Sequence, residues 1–124
     1  MTDPSLSPFH PVTARWFAEE VGPPTGVQRA VWPVAAAGSH ILATAPTGSG
    51  KTMAAFLWAL DRLLTGAWAR GTVRVLYVSP LKALNNDVRQ NLLVPLGKLV
   101  ERFAAAGTGC QPVRVETRSG DTPA

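Results

Sequence analysis

Lys51 and Thr52 close the run Ala45-Pro46-Thr47-Gly48-Ser49-Gly50-Lys51-Thr52, whose residue types and spacing suit the holding of a polyphosphate. Gly48 and Gly50 have no Cβ, so the backbone there can take positive φ and approach phosphate oxygens closely. The amides of the loop and of the following helical turn then point at the anion, and the helix dipole favours negative charge at that end. In this reading Thr47, Gly48, Ser49, Gly50, Lys51 and Thr52 form the cradle. Lys51 reaches the β- and γ-phosphates, and the Thr52 hydroxyl takes a coordination place on magnesium. Lys51 and Thr52 are therefore the candidate catalytic residues, with Thr52 the candidate metal ligand. The first loop position departs from the commonest pattern, being Ala45 where many such loops carry Gly. A plain Gly/Ser turn before a helix is the bland alternative. Against it, the loop sits between an apolar β-type run at 41–44 and a strong helix former at 53–57, as a P-loop requires.

Three other places could do chemistry. Gln28 carries a carboxamide that can pair with the N6 donor and N7 acceptor of adenine at once. It also stands three residues after Thr25, the spacing of a capping box, and the sequence is compatible with both roles only if the side chain can leave the cap. Ser79-Pro80-Leu81-Lys82-Ala83-Leu84 follows a predicted strand, at the sheet edge where ligands sit in open α/β folds. It reads either as a capped strand-to-helix turn or as a site for a nucleic-acid phosphate. Arg118-Ser119-Gly120-Asp121-Thr122 follows a later strand at the same edge; Gly120 permits a tight turn and Arg118 suits a phosphate, whereas Asp121 would repel one.

The elements that must position these residues alternate. Helices are predicted over 12–20, with Pro11 in the first turn, and from Thr25 to an end at Gly38, with Pro33 kinking or dividing the second. The third covers 51–64, where Met53, Phe56, Leu57, Leu60, Leu63 and Leu64 recur at helical spacing. A fourth starts at Ser79-Pro80, is interrupted by Pro95 and continues to about Ala106. Strands are predicted at 41–44, 73–78 and 113–117, and Thr122-Pro123 signals a further helix start. Trp16, Phe17, Phe56 and Trp58 are expected in the core. This order predicts an α/β layered fold with a parallel sheet, preceded by a Pro/Ser-rich arm over residues 1–11.

At 124 residues, 46% hydrophobic, the chain is one domain or part of one. Its net charge is +4, and the excess is uneven: between Arg62 and Arg118 nine cations face only Asp87, Glu101 and Glu116. That suits a polyanionic partner, although a solvated Arg-rich surface would look the same. A single cysteine, Cys110, excludes a disulfide framework, and His10 and His40 lack the neighbours of a metal site. Without a signal peptide or a bilayer-length apolar run, a cytoplasmic location away from membranes is expected.

Taken together, these segments resemble superfamily 2 DEAD/DEAH-type helicases. Pro24-Thr25-Gly26-Val27-Gln28 matches the Q motif, Ala45 to Thr52 motif I, and Ser79 to Leu84 motif Ia. The closer likeness is to the large helicase-related (Lhr) family of ATP-dependent DNA helicases. It rests on Phe9-His10-Pro11, Trp16-Phe17, Trp32-Pro33, Ala54-Ala55-Phe56-Leu57, the extension of motif Ia through Asn85-Asn86-Asp87, and Arg118 to Thr122. The resemblance implies a P-loop, RecA-like three-layer sandwich, incomplete over residues 12–124, and Ala45 is what this superfamily usually carries. It implies ATP and Mg2+ as cofactors, with Gln28 reading adenine and Phe9 stacking on it. It also implies that Pro80, Leu81, Lys82, Arg118 and Gly120 line a track for single-stranded or partly duplex DNA, or RNA. No Asp-Glu-x-His box and no second RecA-like domain occur in these residues, and translocation in this superfamily needs two domains closing on ATP. The chain thus resembles the N-terminal part of a helicase motor, with the remaining helicase domains as its partners. The alternatives are another P-loop NTPase such as a small kinase, which would show an arginine lid, or a non-catalytic nucleotide- or nucleic-acid-binding module.

Overall fold

The computed structural model describes residues 3–79 and 88–118. A 3-10 turn over Pro4–Leu6, capped by Asp3, leads into α1 (Pro11–Trp16), which His10 caps by accepting the Val12 amide at its Nδ1. A π-helical turn, Phe17–Val21, continues α1 and ends at Gly22, whose φ of 108° only glycine takes readily. The helix α2 spans Gly26–Ala36, α3 spans Lys51–Leu64, and a second π turn at Arg89–Leu93 opens into α4, Val94–Ala105.

Local chemistry accounts for most of these boundaries. Thr25 and Gln28 form the expected capping box at the start of α2: the Gln28 amide donates to the Thr25 hydroxyl and the Gln28 carbonyl oxygen accepts from the Thr25 amide. At the other end Gly38, at φ 78°, closes a Schellman motif: its own amide reaches Ala35 and the Ser39 amide reaches Val34. Pro33 does not divide α2. It sits on the exposed side, where water can take up the carbonyl that its missing N–H leaves unbonded. Pro95 likewise does not interrupt its helix, because it falls in the first turn of α4, where an N–H is least needed, and the preceding turn widens to π. Replacing Thr25 by Ala removes one side of the box and is expected to lower unfolding stability by about 1 kcal/mol. Urea denaturation would show it as a lower midpoint at unchanged slope.

The core is aromatic and leucine-rich: Leu6, Phe9, Trp16, Phe17, Trp32, Leu57, Leu60, Leu64, Leu99 and Phe103 are all buried in one cluster. Trp16, Phe17 and Phe56 are buried as expected, and Trp58 packs against the cluster's edge. The N-terminal arm is part of this core through Leu6 and Phe9. Its Asp3 is tied to α2 by an ion pair with Arg29 at 3.0 Å. Hydrogen bonds from Ser5, and then Arg29, hold the Asp3 carboxyl below its usual value. A carboxyl depressed in the folded state contributes stability above its unfolded pKa and loses it as pH falls.

The parallel sheet is not formed among the described residues. The runs at 41–44, 73–78 and 113–117 have no strand pairing; the first two are exposed, with Leu42 at 93% and Leu76 at 82%, although Tyr77 meets Phe56, while Val113 of the third packs against the core. A strand exists only when a neighbour takes up its N–H and C=O groups, and β-rich composition cannot supply that neighbour. The helix expected to start at Ser79-Pro80 lies, after Ser79, outside the described residues, as do the start at Thr122-Pro123 and Pro80, Leu81, Lys82 and Gly120.

Candidate nucleotide-binding site

The loop before α3 has the conformation its glycines predict. Gly48 and Gly50 both lie at φ 83°, and the Ser49 amide and hydroxyl both donate to the Pro46 carbonyl, curling 46–49 into a turn. Gly50 precedes α3 in a left-handed conformation and offers no side chain to cap it. Lys51 is exposed, and its ammonium donates to the Ala45 carbonyl at 2.6 Å, folding the side chain back across the loop. Thr52 is half-buried on the same turn. An added Cβ at Gly48 would meet nothing, which leaves the loop open on that side. Glycine-formed turns, an uncapped helix start and one lysine are the donor set of a polyphosphate site, so these residues fit a magnesium-bound nucleoside triphosphate.

Gln28 is brought to this loop from α2. Its Nε2 donates to the Gly50 carbonyl at 3.2 Å, and a Cβ at Gly50 would collide with that carboxamide. The φ of 83° favours glycine at position 50, and any larger residue there would also displace the Gln28 carboxamide. The carboxamide is buried, yet its cap bond uses one of two lone pairs and its Gly50 bond one of two N–H groups. One acceptor and one donor remain, which is the pair adenine requires. The count leaves a pair for a base, but at 3% exposure the carboxamide is covered as it stands in the cap.

Phe9 is placed differently from its expected role. It is 5% exposed, edge-on to Trp32 at 4.9 Å and to Trp58 at 5.4 Å, so it belongs to the core and presents no open face to a base. Arg118 is exposed after the 113–117 run. Beside Lys51 an apolar cavity of about 220 Å³ opens between α2 and α3, lined by Val27, Val31, Ile41, Ala43, Ala54 and Trp58 among others. No group of His, Cys, Asp and Glu able to hold a metal ion occurs among the described residues. No helix among them is long and apolar enough to cross a membrane.

Sequence reasoning missed the polar device beneath α3. Asp61 is fully buried, accepts the His10 amide at 3.0 Å, and pairs with Arg62 at 2.6 Å; Arg62 also donates to the Pro8 carbonyl and lies over the Trp58 ring. The available signal was an acid inside the apolar stripe of α3, between Leu60 and Leu64.

A glycine-rich turn feeding an uncapped helix, with a lysine across it and a carboxamide at its flank, defines a P-loop nucleotide-binding unit. More particularly, the chain belongs to the DEAD/DEAH box helicases, whose family model matches residues 25–118. It is 48% identical over 123 residues to the Lhr helicase/uracil glycosylase of Escherichia coli, covering 94% of this chain and 8% of that protein. To the ATP-dependent helicase Lhr-Core of Sulfolobus acidocaldarius it is 44% identical over 97 residues, 76% of this chain and 11% of that one. In structure it is similar to the Mycobacterium smegmatis helicase Lhr bound to ssDNA and AMP-PNP, with a TM-score of 0.84 and 44% identity over 96% of this chain and 15% of that chain. The match to that structure gives the fold as that of a P-loop helicase.

Proposed function

We propose that this chain carries the ATP site and one rim of the nucleic-acid path of an Lhr-type helicase motor. The observation that carries the reading is the Gln28–Gly50 hydrogen bond, which joins an adenine-competent carboxamide to a phosphate-competent loop. Lys51 and the loop amides hold the β- and γ-phosphates, Thr52 supplies an oxygen to magnesium, and Gln28 reads the base. Bound magnesium would neutralise phosphate charge. The structural relative holds an ATP analogue and single-stranded DNA, which supports both halves of the proposal. Titration calorimetry with ATP and magnesium tests the nucleotide half; the absence of saturable heat would overturn it.

Single-stranded or partly duplex DNA then runs past Pro80, Leu81, Lys82, Arg118 and Gly120. The runs at 41–44, 73–78 and 113–117 are strands of a parallel sheet completed by further strands of a RecA-like domain, which would also cover the apolar cavity beside Lys51. Such a sheet faces helices on both sides and reads as near-continuous apolar runs, as these do. Since the chain spans 8% of the Escherichia coli relative, unwinding is assigned to the larger assembly. Membership in the helicase family replaces the kinase alternative. If Lys82 and Arg118 contact phosphates, log affinity for single strands should fall with log salt at about −0.7 per contact. Fluorescence anisotropy across a salt series would show the slope flatten in the Lys82→Ala, Arg118→Ala double variant; a slope unchanged by it removes these residues from the path.

A further inference from the structure

The contacts between the N-terminal arm, α2 and α3 form one ladder with a four-residue step. On α3 and its cap the positions are 50, 54, 58 and 62. The Gly50 carbonyl accepts from Gln28 and the Ala54 carbonyl accepts from Trp32 Nε1 at 3.0 Å, four residues further along both chains. The next position, Trp58, is edge-on to Phe9, which is also edge-on to Trp32. At Arg62 the guanidinium donates to the Pro8 carbonyl, while neighbouring Asp61 accepts the His10 amide. The two upper rungs therefore come from the helix that carries Gln28, and the two lower ones from the arm. Since i and i+4 residues share a helix face, the four rungs lie along one stripe of α3 that leads to the phosphate loop.

From this ladder we infer that Phe9 and Asp61 are positioning residues for base recognition: the arm wedges α2 against α3 and so sets where the Gln28 carboxamide stands relative to Lys51. The inference rests on the nucleotide reading proposed above. Phe9 fills the space between Trp32 and Trp58, and Asp61 with Arg62 pins the backbone on either side of it. Both partners of this pin are buried or half-buried, and the Asp61 carboxylate is satisfied by Arg62 and a backbone amide, so the arm is held in one place. A shift of α2 along α3 would move Gln28 while leaving the loop amides and Lys51, which belong to α3 and its own cap, unchanged. The arm should thus act on the base and not on the phosphates.

Mg-ATP and Mg-tripolyphosphate separate these two, since tripolyphosphate has no base. In Phe9→Leu and Asp61→Asn, ATP affinity should fall about fivefold or more, the low end of what a bidentate carboxamide–adenine pair contributes, with tripolyphosphate affinity unchanged. Equal losses for both ligands in folded variants, or no loss for either, would overturn the inference. A wild-type chain that binds neither ligand would overturn the nucleotide reading instead, and this inference with it. Coupling is reciprocal, so a measurement on the unaltered chain guards against variants that do not fold. Saturating ATP should slow hydrogen exchange at residues 5–10, the His10 amide above all, and saturating tripolyphosphate should not. The same protection from both ligands would overturn the inference.

Discussion

Lys51→Ala is expected to weaken binding of ATP with magnesium about ten- to hundredfold, the 1.5–3 kcal/mol typical of a charge-assisted hydrogen bond. The loss should be clean because Lys51 does little for the fold. Its side chain is exposed, and its ammonium donates to the Ala45 carbonyl, a bond that water can replace. Substitutions of that kind change stability by less than about 0.5 kcal/mol, so the thermal midpoint should barely move. The variant should lose affinity for tripolyphosphate by the same factor as for ATP, because the ammonium meets phosphate and never the base. That pattern is the opposite of the one expected for Phe9→Leu. Titration calorimetry of the two ligands against the two variants therefore separates phosphate binding from base positioning. Equal ATP affinity in wild type and Lys51→Ala would remove the P-loop assignment.

The parts of the fold legible in the sequence were those written in local chemistry. The capping box at Thr25 and Gln28, the left-handed Gly38, the limits of α3 at Lys51 and Leu64 and the two glycines of the loop all depend on residues a few positions apart. The three β-type runs were legible as composition only, since pairing is decided by whatever backbone lies alongside, and none does among the described residues. Phe9 shows the same limit in the site. An aromatic in a Pro-rich arm suits base stacking as well as packing, and the choice is made by Trp32 and Trp58, residues 23 and 49 positions away. The prolines at 33 and 95 were over-read for a different reason. A proline removes one N–H, and whether that breaks a helix depends on how exposed the orphaned carbonyl is and how near the helix start it falls.

The purified 124-residue chain is expected to show no DNA-stimulated ATP turnover on the scale of a helicase, and no unwinding. Hydrolysis needs an acid to complete the metal site, an oriented water and positive charge on the γ-phosphate in the transition state. In the proposed site Lys51 and Thr52 would supply the ground-state cradle alone. The eight acids of the sequence can be taken in turn. Asp3 is paired with Arg29, Glu19 and Glu20 with Arg102, and Glu116 with Arg114, so each already has a cation. Asp61 is on the P-loop helix itself, but ten residues along it, about 15 Å from Lys51 at the rise of an α-helix. It is also fully buried and bonded to Arg62 and the His10 amide. Glu101 is exposed on α4. Asp87 and Asp121 lie outside the described residues, and the sequence around them contains no Asp-Glu-x-His box. A phosphate-release assay with saturating single-stranded DNA is the direct measurement. Robust turnover abolished by Lys51→Ala would mean that Asp87, Glu101 or Asp121 reaches the metal, and the matching Asn or Gln variants would show which one completes the site.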